Sequence, residues 1–444
     1  MDLDTLIIWS VALVLGLVVV APFVVRRRRQ ERHGVEAKEK AERLGLDRPA
    51  TLHPVVDPSL CAGCGLCTRV CPEGDVLALL GGQAVPVGPA RCVGHGLCQR
   101  ACPTDAIRLV FGTAERGVEL PHVQANYETN VPGLFIVGEL GGMGLIRNAV
   151  EQGLQAADGI AKTLRPSGDG ASDGVDVAVV GGGPAGLACA LRLHDQGLRV
   201  ALIEKEREAG GAVWAYPRRK LVMTQPFALP GQPTVRGPEI AKEDLVALWR
   251  TAVAESNLPV RAGQTVRAVT PQPDGTFAVE MTAGDGETET VEARRVVLAI
   301  GRRGVPRRLG VPGEDGQDVF YALTEPEHFA GRRALVVGGG DAAVEAALAL
   351  AEQPGTTVAL SYRKDRLSRV KPANLERFTA AEQSGQVRAL WSTEVARIEP
   401  GAALLDTGEE VAADDVFVFI GGELPTAFLR ACGVELETKF GEPR

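Results

Sequence analysis

Aromatic side chains are only 5% of these 444 residues while 53 are glycine, which disfavours a β-sandwich and suits tight turns and close backbone approaches. Basic charge is in deficit too. With 48 Lys and Arg against 56 Asp and Glu, the formal net charge of −8 argues against nucleic acid as a partner. Cysteine is missing from most of the chain: of nine, all but Cys189 and Cys432 fall between Cys61 and Cys102. That crowding excludes the dispersed disulfide framework of a secreted protein and points to ligand chemistry in a reducing compartment. No Ser–His–Asp set or carboxylate pair stands out. The length implies two to four domains.

One long hydrophobic run is present, Leu6 to Val25 (LIIWSVALVLGLVVVAPFVV), uncharged and ended by Arg26, Arg27, Arg28 and Arg29. At about 1.5 Å per residue it spans roughly 30 Å, the thickness of a bilayer core. It therefore predicts a transmembrane helix over residues 6–25, the alternative being a buried core helix. Acidic residues precede it and arginines follow, the reverse of a signal peptide. The positive-inside rule then predicts a single-pass cell-membrane protein whose catalytic domains are cytoplasmic. Residues 26–54 read as a charged juxtamembrane linker.

Cys61, Cys64, Cys67 and Cys71, with Pro72 after the last, have the spacing C-x2-C-x2-C-x3-C-P. Three thiolates on one tight loop grip three corners of an iron–sulfur cubane, and the fourth reaches a neighbouring cluster. A second run, Cys92, Cys98 and Cys102 before Pro103, repeats the spacing with His95 where a cysteine is expected. A zinc site is the alternative for the first run alone. Over residues 55–110 the block resembles two-cluster ferredoxins. The resemblance implies one [4Fe–4S] cluster on Cys61, Cys64, Cys67 and Cys102, and another on Cys92, Cys98 and Cys71. Three readings of His95 stand open. It is a nitrogen ligand completing a [4Fe–4S] cluster, it ligates nothing beside a [3Fe–4S] cluster, or it is a solvated residue at an empty site.

Beyond the Pro, Ser, Gly and Asp-rich linker at 166–174, β-branched runs alternate with Ala/Leu-rich stretches, the mark of an α/β doubly wound fold. Val177 to Gly186 (VAVVGGGPAG) is a strand and G-x-G-x-x-G turn opening a helix, with Gly181, Gly183 and Gly186 in the glycine positions. Such a turn lets a pyrophosphate approach the helix N-terminus. The next strand ends at Glu204, placed for a ribose hydroxyl. A second such turn carries Gly338, Gly340 and Ala343. Its following strand ends at Tyr362 without an acid, and Arg363, Lys364 and Arg366 come next. A basic cluster in place of the carboxylate suits a 2′-phosphate, so this site favours NADP over NAD.

From Val175 onward the chain resembles the two-dinucleotide flavoprotein reductases, especially thioredoxin-reductase-like and bacillithiol-disulfide-reductase-like members. Val297 to Gly301 (VLAIG) and Val416 to Gly421 (VFVFIG) match the segments where that family crosses between domains. The resemblance implies FAD in the first fold (175–301, with a return at 414–444) and NADPH in the second (302–413). Family members close the flavin site with a C-terminal T-x-x-P-G-L-F-x-x-G-D segment and a helix. Here the chain stops before any such segment, but Thr129 to Glu139 (TNVPGLFIVGE) stands upstream with a helical pattern from Leu145 to Leu164. This predicts a circular permutation in which residues 117–165 complete the FAD domain, Gly138 and Glu139 lying near the flavin. The alternatives are an unrelated adaptor and completion by the neighbouring subunit of a homodimer.

Thioredoxin reductases pass electrons through a C-x-x-C in the NADPH domain, yet no cysteine lies between Val297 and Gly421. Direct dithiol–disulfide exchange is therefore not expected. The loop Tyr216 to Lys220 with Met223, Thr224 and Gln225 resembles the flavin-proximal loop of the bacillithiol-reductase-like members and is a place to look for substrate contacts. The expectation is a membrane-anchored α/β oxidoreductase with two doubly wound dinucleotide-binding domains and a small α+β ferredoxin-like domain. It would move electrons between NADPH, FAD and the clusters and a small-molecule or protein acceptor of ferredoxin, quinone or protein type. The rival is a redox sensor with the same cofactors and no sustained turnover.

Overall fold

The computed structural model describes the chain apart from residues 1–2, 45–46, 48, 50–51, 142–144, 167–173, 215, 217, 219, 224–225, 238, 285, 303–304, 369, 424 and 443–444, with some side chains inside helices also left out. It divides into two compact units, Met1–Val118 with Lys439–Arg444, and Glu119–Thr438.

In the first unit, α1 (Leu3–Leu44) runs 42 residues through Pro22 and the four arginines. Among the described residues no helix is long and apolar enough to cross a membrane, so the span expected at Leu6 to Val25 gains no support here. The fold after it comprises β1 (Leu52–Val56), α2 (Leu66–Val70), the hairpin β2 (Leu77–Leu80) with β3 (Gln83–Pro86), α3 (Leu97–Arg100) and β4 (Ile107–Phe111), which pairs antiparallel with β1. Residues 26–44 do not form a free stalk. Gly34 lets α1 touch the hairpin, since a Cβ there would stand 2.8 Å from the Ala78 Cβ. Close by, the Gly81 N–H donates to the Glu31 carboxylate at 2.8 Å.

β5 (Val118–Pro121) leads out of this unit. The second unit then contributes β6 (Leu134–Ile136) and α4 (Ile146–Thr163) before reaching the first glycine turn. Next come β7 (Val175–Val180), α5 (Pro184–Asp195), β8 (Val200–Glu204), the ribbon β9 (Leu221–Met223) with β10 (Glu239–Ala241), α6 (Lys242–Ser256) and β11 (Val260–Ala262). Three antiparallel strands follow, β12 (Gln264–Pro271), β13 (Phe277–Ala283) and β14 (Thr288–Leu298). The sheet runs β11-β8-β7-β14-β13-β12. β14 is long enough to serve two neighbours on one side: its first half pairs with β13, and Val296 to Leu298 pair in parallel with Leu134 to Ile136 of β6. β7 from Asp176 onward and all of β8 are buried on both faces, as the apolar runs Val177 to Val180 and Val200 to Ile203 require.

A second fold follows β15 (Val305–Pro306). It holds β16 (Val319–Phe320), β17 (Arg333–Val337), α7 (Asp341–Ala351), β18 (Thr357–Tyr362), α8 (Pro372–Gln383), β19 (Val387–Trp391), the antiparallel set β20 (Val395–Glu399), β21 (Ala402–Leu405) and β22 (Glu410–Ala412), and β23 (Asp415–Val418). The parallel sheet is ordered β16-β23-β17-β18-β19. This corrects the boundary expected at 413/414. Because β23 pairs with both β16 and β17, the chain stays in the second fold through Val418. It returns later, with Leu429, Cys432 and Val434 buried in the core of the first sheet.

Candidate functional site

Cys61, Cys64, Cys67 and Cys102 line one recess, together with Gly63, Gly65 and Ala106. The cysteine at the end of the second run thus joins three from the first. Backbone N–H groups point at the sulfurs: Ala84 to Cys61 at 3.4 Å, Ala106 to Cys102 at 3.3 Å, and Gly94 to Cys92 at 3.4 Å. Such donors stabilise thiolates and tune a cluster's potential. Burial pushes the Cys67 thiol up to about 11 and the Cys92 thiol up to about 12. For Cys102 the effect of desolvation is outweighed by hydrogen bonds from Thr104, Ala106 and Ile107, leaving it below the ordinary thiol value. Buried thiols of this kind lose their protons when a metal centre binds. Among the described residues no three His, Cys, Asp or Glu side chains converge as a single ion would need. Four thiols lining one recess are the donor set that an iron–sulfur cluster takes.

The second set lies in the same small core. Cys67 and Cys98 are buried in it, and Cys61, Cys71, Cys92 and Cys102 pack against them. Cys92 is within electrostatic reach of Cys98, Cys71 and Glu73. His95 is buried, and its Nε2 stands 3.9 Å from Oε1 of Glu73. Glu73 is part of no sequence motif, and only its position just after Cys71-Pro72 could have flagged it.

The first glycine turn has the geometry of a dinucleotide loop. Gly181 has φ 101°, and a Cβ on Gly186 would fall 1.9 Å from the Gly181 carbonyl oxygen, so α5 can approach β7 only with glycine there. At Gly183 a Cβ would find nothing nearer than 3.9 Å, which leaves backbone open at the N-terminus of α5. Glu204 is 3% exposed; its carboxylate accepts from the N–H of Gly182 at 2.7 Å and of Glu206 at 3.0 Å. Desolvation raises its pKa against the opposing pull of those two bonds.

Residues from upstream build onto this turn. α4 packs along α5, with Val150, Ala156, Ala157 and Ile160 in one core with Leu187, Ala188 and Leu191. Gly138 has φ 80°, and a Cβ on it would stand 3.0 Å from that of Ala185 in the first turn of α5. Its N–H donates to Gln152 Oε1 at 2.8 Å. Glu139 follows in the 3-10 turn Gly138–Gly141. Gln152, 4% exposed, was missed in the sequence, where nothing marks it.

The second turn repeats the design. A Cβ on Gly338 would meet the Phe419 carbonyl oxygen at 2.4 Å, Gly340 has open space, and Ala343 is fully buried. The Tyr362 ring covers Gly339, where a Cβ would lie 2.2 Å from it. Arg363 is exposed and Lys364 half-buried at the end of β18. Of the loop singled out near Tyr216, Pro217, Arg219, Thr224 and Gln225 lie outside the described residues. Lys220 reaches Glu345 of α7 at 2.7 Å and lies 4.8 Å from the Tyr216 ring centroid. Asn374 donates to Glu345 at 3.0 Å and to Asp341 at 2.8 Å.

A family profile described as pyridine nucleotide-disulphide oxidoreductase matches residues 178–443. The chain belongs to the pyridine nucleotide-disulphide oxidoreductase family. A second profile, described as a 4Fe-4S dicluster domain, matches residues 53–103. This member of the family is similar to a ferredoxin–NADP reductase of Ignicoccus hospitalis, 31% identical over 272 residues that cover 60% of this chain and 83% of the relative. It is 29% identical to bacilliredoxin reductase Bdr of Bacillus subtilis over 273 residues, 60% and 82% of the two chains. Among solved structures, bacillithiol disulfide reductase Bdr from Bacillus cereus superposes with a TM-score of 0.51 at 27% identity, covering 59% of this chain and 82% of that one. The family member described here is an NAD(P)H-dependent oxidoreductase with FAD- and NAD(P)-binding folds and a 4Fe-4S dicluster domain. Residues 104–177, which hold β6 and α4, lie outside both profile matches.

Proposed function

We propose that this oxidoreductase moves electrons between NADPH and a one-electron acceptor of ferredoxin, quinone or protein type through FAD and two iron–sulfur clusters. The observation that carries the reading is the meeting of Cys61, Cys64, Cys67 and Cys102 at one recess, in a family member with no cysteine between Val297 and Gly421. With the dithiol route missing, cluster ligands are the redox groups its sequence supplies. FAD would be held by Gly181, Gly183, Gly186 and Glu204 with Gly138 and Glu139, and NADPH by Gly338, Gly340, Ala343, Arg363 and Lys364. The first cluster would sit on Cys61, Cys64, Cys67 and Cys102. The second would take Cys71, Cys92, Cys98 and His95. When bound, the flavin supplies the exchange between two-electron and one-electron transfer, and the clusters carry single electrons.

Two finer points belong to the same proposal. The parallel pairing of β6 with β14 and the packing of α4 on α5 support residues 117–165 as the permuted completion of the FAD domain. An N-terminal membrane anchor with the catalytic domains on the cytoplasmic side rests on the sequence alone, on the uncharged run Leu6 to Val25 followed by Arg26 to Arg29. Removal of residues 1–25 should release the protein from the membrane fraction.

Anaerobic titration with NADPH, followed by optical and electron paramagnetic resonance spectra, tests the relay. Flavin bleaching accompanied by reduced iron–sulfur signals is expected. Bleaching with no cluster signal would show that the clusters lie off the electron path. Stoichiometric reduction without turnover, across varied acceptors, would favour a sensor.

A further inference from the structure

The second iron–sulfur site contains a carboxylate that the ligand motif does not account for. Glu73 turns its side chain inward, 12% exposed, and its Oε1 is buried and accepts no hydrogen bond among the described residues. Leaving such an oxygen without a donor is unfavourable, and more so for a charged group. The group beside it is His95, 8% exposed, whose Nε2 stands 3.9 Å away.

The loop that carries His95 keeps the shape of its cysteine counterpart. Gly94 and Gly96 have φ 83° and 70°, against 67° and 70° for Gly63 and Gly65. A short helix follows each loop, α3 in one and α2 in the other. The residue between the paired glycines holds the same place in both loops, and it is Cys64, exposed, in the first and His95, buried, in the second. The imidazole therefore replaces a ligand at a ligand position. In the covalent structure of histidine, Nδ1 is two bonds from Cβ and Nε2 is three. Nδ1 is thus the nitrogen nearer the place a cysteine sulfur would occupy, and Nε2 points beyond it.

Resting on the reading of His95 as the fourth ligand of the second cluster, we infer that Glu73 is its positioning residue. Oε1 accepts a hydrogen bond from the Nε2–H of His95, which fixes the tautomer and directs Nδ1 to iron. Closing 3.9 Å to hydrogen-bond range, about 2.9 Å, takes a side-chain adjustment of only ~1 Å. A carboxylate behind a metal-bound imidazole is a general device for orienting the ring and raising its basicity. Here it has a second effect, because a negative group beside the cluster disfavours an added electron. The second cluster should therefore sit lower in potential than histidine ligation alone would place it.

The test uses the full-length protein purified without oxygen, with potentiometric titration and pulsed measurement of 14N coupling to the reduced second cluster. In the unsubstituted protein, coupling to one imidazole nitrogen is expected. Glu73→Gln should keep both clusters, alter that coupling, and shift the second potential upward while the first stays in place. His95→Cys should abolish the coupling and keep a cluster, and adding Glu73→Gln to it should move the potential less. If Glu73→Gln fails to hold the second cluster, recovery of its signal by Glu73→Asp supports the assignment and no recovery overturns it. An unchanged coupling and potential in Glu73→Gln, with coupling present in the parent, would defeat the role of Glu73 and leave the ligand standing. Absence of nitrogen coupling in the parent, with a three-iron signal on oxidation, would instead remove the ligand reading itself.

Discussion

Gly153 of α4 lies so close to Ala185 of α5 that a Cβ on the glycine would come within 2.2 Å of the Ala185 carbonyl oxygen. Two helices from opposite sides of the 166–174 linker are in backbone contact, directly behind the first glycine turn. Gly153→Val should therefore force the helices apart, at a cost of about 1–3 kcal/mol for overpacking. Gly159, in the same helix, has nothing within 4 Å of its would-be Cβ. Gly159→Ala should be stabilising by about 0.5–1 kcal/mol through helix propensity. Thermal unfolding followed by flavin fluorescence separates the pair, since only the first change should release flavin early.

At the other end of that contact Arg192 Nε donates to Asp158 at 2.8 Å. The hydrogen bond to Arg192, helped by Gln196, holds the Asp158 carboxyl below its ordinary value of 3.8. A depressed carboxylate stabilises the fold above its unfolded pKa, and that contribution disappears as pH falls through the lower folded value. Stability of the native protein should drop below about pH 4 more steeply than that of Asp158→Asn. Both side chains are over 40% exposed, so the difference should be small, on the order of 0.5 kcal/mol, and should shrink in salt. Acid-limb denaturation curves at two ionic strengths measure it.

Cys64→Ser should lose the resonance signal of the first cluster while retaining bound flavin and the signal of the second. NADPH should still bleach the flavin, but steady reduction of a one-electron acceptor should fall to background. Unchanged turnover would assign the cluster domain a structural role only.

Arg363→Ala and Lys364→Ala should each weaken NADPH by roughly tenfold or more, the worth of a charge-assisted hydrogen bond of about 1.5–3 kcal/mol. Turnover with NADH should be unaffected. A parallel loss with both nucleotides would mean that these cations do not meet the 2′-phosphate.

The parts of the fold that local chemistry dictates were legible in the sequence. The resemblance to two-cluster ferredoxins, carried by the cysteine spacing, implied a shared site for Cys102 with Cys61, Cys64 and Cys67, and the glycines at 181, 186 and 338 sit where backbone approaches backbone. The upstream PGLF segment drew notice through its likeness to the family's flavin-closing segment, and the structure pairs its Leu134–Ile136 in parallel with Val296–Leu298. What escaped depends on partners distant in sequence. Asp415–Val418 looks like a crossing segment, and only its pairing with Val319–Phe320 and Arg333–Val337 assigns it to the second sheet. Residues 26–54 read as a charged juxtamembrane linker because charge dominates them, while Gly34, which docks the helix on the hairpin, contributes no hydropathy. Glu73 and Gln152 are polar residues whose burial follows from what surrounds them, and no periodicity marks them in advance.

The pairing of β6 with β14 also sets an order of events during synthesis. Leu134 to Ile136 leave the ribosome long before Val296 to Leu298, their sheet partners. At roughly 5–20 residues per second the wait is on the order of 10–30 s. Through it the apolar stripe of α4, with Val150, Ala156, Ala157 and Ile160, has no α5 or sheet to cover it at first, whereas β1 through β4 are already complete. The nascent chain thus completes β1 to β4 while the sheet that β6 joins is still open, and that first unit waits only for its C-terminal Lys439–Arg444.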